Sequence, residues 1–283
     1  MQRNLLIIGH GYTGRAILDL AQRAGWPARV TSRHPGGRPD VVAFDDPALL
    51  AGVTHLVVTA PPGPQGDPVW AAHAEALRAA PLAWVGYIST TGVYGDRQGA
   101  WVDEDTPPAP GQERSQRRLD AEAQWHALAG HVAVDLFRTG GIYGPGRSAL
   151  DDVRAGTARC VVKPGHSFSR IHRDDIARAV MAAAHRPPGP GTRVLHLVDD
   201  TPSTQADVIL AACRLLGVAP PPPTPFAEAY ARMSEMGRSF WDESRLVSSR
   251  RTRHMLGLDW AYPSFREGLG AIFAEERAQR PAE

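Results

Sequence analysis

Residues 4 to 25 read NLLIIGHGYTGRAILDLAQRAG, and this stretch restricts the fold more than any other. A short apolar run, Asn4 to Ile8, has the length and composition of a buried strand. Gly9, Gly11 and Gly14 follow at G-x-G-x-x-G spacing, and Ala16, Ile17, Leu20, Ala21 and Ala24 then recur at helical intervals up to Gly25. Glycines at this spacing also occur in ordinary turns. Placed between a strand and a helix, they make the dinucleotide-binding fingerprint. Gly9 permits a tight turn, Gly11 lets the backbone approach a pyrophosphate, and Gly14 lets helix and strand pack closely. Tyr12 and Thr13 complete the loop at the helix N-terminus, where unpaired N–H groups favour phosphate.

The alternation continues. ARVTSR, THLVVTA, PLAWVGYIST and HVAVDLFRTG are strand-like, and helical segments are expected near Val69–Ala79 and Arg114–Ala129. Repeated βαβ units predict the α/β class, a Rossmann-type doubly wound parallel sheet with helices on both faces. The second strand ends in Thr31-Ser32-Arg33, with no acid before Asp40, where an NAD site usually carries one. Ser32 and Arg33 therefore favour NADP(H) over NAD(H), Arg33 pairing with the 2′-phosphate, unless Arg33 is a solvated loop residue. Asp45 either lies near the adenine or caps the segment that follows.

Composition excludes several classes. The net charge of +1 argues against nucleic-acid and membrane partners, and no apolar run approaches the length of a bilayer span. Cys160 and Cys213 lack metal-type spacing and suit a reducing, cytoplasmic compartment, and the N-terminus has no signal-peptide pattern. No H-E-x-x-H or G-x-S-x-G motif occurs, so neither a metal site nor a hydrolase elbow is expected. The ligand is then a small molecule.

In order, GHGYTGRA, FDDPALL, LVVTAPPG, YISTTGVYGD with VDEDTPPAP, FRTGGIYGPGR, IHRDDIARAV and YPSFREGL resemble the extended short-chain dehydrogenase/reductases, the group of NAD-dependent epimerases, dehydratases and related reductases. The resemblance runs over almost the whole chain. It implies a Rossmann domain over 1–145 and a smaller, partly interleaved substrate domain over 146–283, with segments near 170–200 returning to the Rossmann core. It also implies that Ala60 and Pro61 border the cofactor, that Thr90 bonds the reacting oxygen, and that helices near 69–79 and 114–129 pair in a homodimer. The reaction implied is oxidoreduction or epimerisation at a carbonyl or alcohol carbon.

One stretch departs from the family. RSQRRLDAE, residues 114 to 122, aligns with the helix that opens Tyr-x-x-x-Lys, yet Arg114 and Arg118 occupy those positions. Arginine neither deprotonates nor accepts a hydrogen bond, so Arg114 cannot be the acid/base, whereas Arg118 can still donate to a nicotinamide ribose. None of the six tyrosines has a lysine four residues later, and Lys163 is the sole lysine. Substitutes are Tyr94, in the turn beyond Thr90, Tyr143 after a later strand, and His172, unless these pack structurally. Asp174 or Asp175 is expected to cap the helix after His172, and the basic run 249–254 to form a solvated helix face. The lost pair also admits a second class, a non-catalytic NADP(H)-binding sensor or scaffold.

Overall fold

The computed structural model describes residues 3–34 and 36–279. Seven parallel strands form the central sheet. The first five are β1 (Leu5–Ile8), β2 (Ala28–Ser32), β3 (Val41–Ala43), β4 (His55–Val58) and β5 (Trp84–Thr90). Strands Ala133–Thr139 and Gly191–Leu197 complete it beyond β5. The order β3-β2-β1-β4-β5 and onward reverses between β1 and β4, the switch point at which ligands bind in doubly wound sheets.

Side-chain alternation builds a core on each face. Leu5 and Ile7 of β1 point to the side covered by helix α1 (Tyr12–Arg23) and helix Arg173–His185, together with Val57, Trp84 and Phe137. Leu6 and Ile8 point to the other side, where α2 (Pro68–Ala79) and α3 (Glu113–His126) pack Trp70 against Trp125 and Trp125 against Tyr87. Asp67 fixes that second layer. One of its oxygens accepts from the Val69 and Trp70 amides at the start of α2, and the other accepts the Trp125 indole N–H at 2.9 Å. Helix α3 begins one residue earlier than expected and ends three earlier, in turns over 127–131.

Segments beyond residue 145 return to the main sheet. Strand Gly191–Leu197 is the edge of the main sheet, and helix Arg173–His185 packs on α1. A smaller lobe is built on helices Ala149–Arg154, Gln205–Leu216 and Phe265–Gln279 around Leu150, Ala212, Phe265 and Leu269. The stretch near 219–225 is proline-rich. Its end, Pro223–Pro225, pairs with Cys160–Val162 as a short parallel strand. The basic run forms helix Arg250–Leu256, with Arg251 paired to Asp105, and Arg253 to Asp200 and Asp259. Among the described residues no helix is long and apolar enough to cross a membrane.

Candidate functional site

At the C-terminal end of β1 the three glycines have different neighbours. Gly9 has φ of +113°, and a Cβ there would meet Thr59 Oγ1 at 2.4 Å. A Cβ on Gly14 would lie 2.0 Å from the Gly9 carbonyl oxygen. At Gly11 a Cβ meets nothing within 4 Å. Protein packing thus accounts for the first and third glycines, whereas the space at the second is open. Gly11 caps α1 without a side-chain acceptor, and no acid lies in the first turn. The free amides there suit an anionic group. Two threonines hold the loop: Thr31 Oγ1 accepts the Gly9 amide at 3.1 Å, and the Thr59 hydroxyl contacts the Ile8 and Gly9 carbonyls at 3.1 Å. The Tyr12 hydroxyl donates to the Pro145 carbonyl, and the guanidiniums of Arg147 and Arg173 lie over its ring.

The other residues expected on this side lie at strand ends. Ser32 ends β2 and accepts the His34 amide. Arg33 follows it, exposed. Asp45 is exposed in the turn after β3, and the capping contact nearby belongs to Asp46, which accepts the Ala48 amide. Ala60 and Pro61 follow β4.

A cleft of about 750 Å³ opens at the C-terminal ends of β4 and β5, reaching Pro61 and Thr90. Pro61, Thr90, Thr139, Arg114 and Arg118 form its inner part, and Phe168, Phe240 and Trp241 belong to its outer wall. Thr90 ends β5, and its Oγ1 accepts the Gly92 amide at 3.1 Å. Arg118 donates to the Ile88 carbonyl at 2.7 Å and lies over the Tyr87 ring. Arg114 donates through Nε to Gln112, while its guanidinium sits 4.3 Å from the Phe240 ring centroid. The two arginines at the tyrosine and lysine positions therefore both border the cleft.

The three substitutes for the missing phenol do not. Tyr94 is fully buried. Its hydroxyl bonds His196 Nε2 at 2.5 Å and accepts from Arg138 at 2.8 Å, and burial pushes its pKa up to about 12. Tyr94 does not line the cleft, and its hydroxyl is taken up by core partners. Tyr143 lines a second cavity of about 420 Å³ on the far side of Arg170 and Gln205, with its hydroxyl toward the Ser264 carbonyl. His172 is 1% exposed, wedged between the rings of Tyr143 and Tyr262. Its Nδ1 accepts the Asp174 amide, so His172 itself caps helix Arg173–His185 in place of Asp174 or Asp175. Asp175 is turned inward and accepts the Ala261 and Tyr262 amides. Among the described residues lining the cleft there is no tyrosine, histidine or lysine, and Glu243 is the one acid.

Sequence reasoning missed a buried polar row beneath the cleft. Register places Ser89, Arg138 and His196 side by side on three adjacent strands. Glu122 of α3 takes Arg138 and Ser89, Tyr94 bridges Arg138 to His196, and His196 Nδ1 donates to the Ser248 carbonyl. The His196 amide reaches Thr252, whose hydroxyl donates to Glu104. Two charges in the strand-like run HVAVDLFRTG were the available signal, since a buried charge demands a partner.

No family model matches the chain. It is similar to a solved structure described as a functionally unknown conserved protein from Silicibacter pomeroyi DSS, with 40% identity, TM-score 0.88, and coverage of 98% of this chain and 100% of that one. The human epimerase family protein SDR39U1, solved with NADPH, shares the fold at 21% identity and TM-score 0.75, with 96% and 99% covered. The chain shares this epimerase-type fold, and its motifs resemble those of the extended short-chain dehydrogenase/reductases. It departs from that pattern where Arg114 and Arg118 stand in place of the Tyr-x-x-x-Lys pair. A curated relative is the 3-diazoavenalumate denitrifying reductase of a Streptomyces species, 30% identical over 180 residues. That match spans 60% of this chain and 58% of the reductase.

Proposed function

We propose that this chain is an extended short-chain dehydrogenase/reductase that binds NADP(H) and acts at a carbonyl or alcohol carbon of a small molecule, as an oxidoreductase or an epimerase. The observation that carries the reading is the open space at Gly11, at the free end of α1, with the Thr90 cleft at the C-terminal ends of β4 and β5. The amides of Gly11, Tyr12, Thr13 and Gly14 would hold the pyrophosphate, Ser32 and Arg33 the 2′-phosphate, and Asp45 the adenine side. Ala60 and Pro61 would border the cofactor, and Arg118 would donate to the nicotinamide ribose. The bound cofactor supplies or accepts a hydride.

The chain's part is to orient the reacting oxygen. Thr90 Oγ1 already accepts the Gly92 amide, so its own O–H is left to donate to a substrate carbonyl. Among the described residues no phenol, imidazole or ammonium lines the cleft, so the proton would come from water or from the substrate itself. The reductase relative supports a reductive direction. Pairing through α2 and α3 in a homodimer, and a cytoplasmic setting, accompany this reading.

The same lack of a titratable phenol favours a second reading, a non-catalytic NADP(H)-binding sensor or scaffold. One experiment separates them. Fluorescence titration with NADPH and NADH tests binding, and NADPH oxidation is then followed with a panel of aldehydes and nucleotide sugars. Binding with turnover supports the enzyme, binding without turnover on any substrate supports the sensor, and no binding overturns both.

A further inference from the structure

The arginines of this chain fall into two groups. Outside the cleft many stand against a carboxylate: Arg138 with Glu122, Arg193 with Asp135, Arg178 with Asp175, and Arg253 with Asp259. Inside it, Arg114, Arg118, Arg159, Arg170 and Arg245 face a single acid, Glu243, and Arg245 takes that one at 2.8 Å. Arg170 is engaged by the Phe168 and Ser203 carbonyls and the Ser203 hydroxyl. Arg118 is tied to Ile88 and has a place in the cofactor reading.

Arg114 and Arg159 remain. Arg114 bonds Gln112 through Nε and meets only a thioether, Met236 Sδ, through Nη1. Arg159 is exposed, with no hydrogen bond or ion pair among the described residues. A guanidinium has five N–H donors in a planar fork that matches a carboxylate. The one carboxylate near Arg114 is Glu243, which Arg245 already holds, so the guanidiniums bordering this cleft outnumber its acid and call for an anion from outside the chain.

The rest of the outer wall is aromatic. The Phe168 and Trp241 rings meet edge to face at 4.9 Å, and Phe240, 55% exposed, lies under the Arg114 guanidinium. A flat ring laid against exposed Phe240 and the parts of Phe168 and Trp241 that line the cleft gains apolar contact. The cleft's volume of about 750 Å³ must also accept the nicotinamide end of the cofactor, which leaves room for a compound of one or two rings.

We infer that the substrate is an aromatic carboxylate, its ring against Phe168, Phe240 and Trp241 and its carboxylate held by Arg114 and Arg159. The inference rests on the NADP(H)-dependent reading above for its chemistry, although the anion site can be measured by itself.

The test is calorimetric binding of 4-formylbenzoate, benzaldehyde and UDP-glucose to the wild-type protein, each with and without saturating NADP+. The expected result is that 4-formylbenzoate binds at least about tenfold more tightly than benzaldehyde, as one charge-assisted contact gives. Arg114→Gln and Arg159→Gln should each reduce that preference while leaving NADPH affinity unchanged, with Arg114→Lys keeping part of it. If a variant does not fold, the wild-type preference must still shrink as potassium chloride is raised. Equal affinity for the two aldehydes, or UDP-glucose binding more tightly than 4-formylbenzoate, overturns the inference. Carboxylate preference without any NADPH binding would keep the anion site and remove the proposed function instead.

Discussion

Arg138 and Glu122 form a two-pronged ion pair, Nε to Oε1 at 3.1 Å and Nη2 to Oε2 at 2.7 Å, with the two side chains 5% and 4% exposed. Removing one partner leaves the other charge buried without compensation. Glu122→Ala should therefore cost about 3–5 kcal/mol of stability, read from urea unfolding. Replacing both residues with apolar side chains of similar volume should cost far less, since no charge is then stranded. A single variant as stable as the wild type would show that water reaches this site.

The glycine loop separates packing from binding. Gly14→Ala places a Cβ against the Gly9 carbonyl and should lower the melting temperature by several degrees or prevent folding. Gly11→Ala, at φ of −85° with no neighbour within 4 Å, should leave the melting temperature within a degree or two of the wild type. It should weaken NADPH binding by about tenfold or more, because the methyl group occupies the space the pyrophosphate would need. Equal effects of the two changes on stability would contradict this division.

Tyr94 tests whether a buried phenol matters to the chemistry. Tyr94→Phe deletes the hydroxyl shared by Arg138 and His196 and should cost about 1–3 kcal/mol of stability. NADPH oxidation, measured well below the unfolding temperature, should keep its rate. A large loss of rate in a folded variant would return Tyr94 to the catalytic list.

Two sets of buried groups give stability opposite slopes with pH. Burial, aided by Arg3 at His55 and by Lys163 at His166, lowers these two imidazoles to about 4, and burial also lowers His172 and His196. A base with a depressed folded pKa contributes stability above its unfolded value near 6.5, and that stability is lost as pH falls toward 4. Urea midpoints should therefore drop between pH 6.5 and 4, by on the order of 3 kcal/mol for His55 alone.

Asp199 works the other way. It is 1% exposed, its Oδ2 has no partner among the described residues, and burial raises its carboxyl to about 8. A raised folded pKa gives stability that is complete below about 4 and lost as pH rises through about 8. Asp199→Asn keeps an acceptor for the Thr201 amide and removes the ionisable group. The variant should gain on the wild type steadily from pH 4 to 8, by up to on the order of 5 kcal/mol at alkaline pH. An unchanged difference between pH 5 and 9 would mean that the carboxyl is solvated.

The parts of the structure that follow short-range rules were legible from the residues. Leu5 to Ile8, the glycine spacing and the periodicity of α1 each act within a few positions, so the βαβ frame and the loop emerged together. The helix at 113–126 and the placement of Arg114 and Arg118 at the cleft were legible from the register of LDAE. The rest depended on contacts between distant segments. The sequence leaves Tyr94 either a cleft phenol or a packing residue, and only His196, 102 positions away, decides for packing by taking its hydroxyl. The sequence likewise leaves His172 either a titrating group or a structural one, and the enclosing rings of Tyr143 and Tyr262 decide for the latter. The aromatic wall from Phe240 and Trp241 had no local pattern at all, since these residues earn their position through chain reversal alone.

The polar row through Ser89, Arg138 and His196 does not stop at the sheet. It passes to Thr252 near the end of the chain, and from there to Glu104. A fragment that ended before Thr252 would leave the His196 amide and the Glu104 carboxylate sealed in without their mates. These bonds tie the segment around Thr252 to the main sheet, so the two are expected to unfold in one transition.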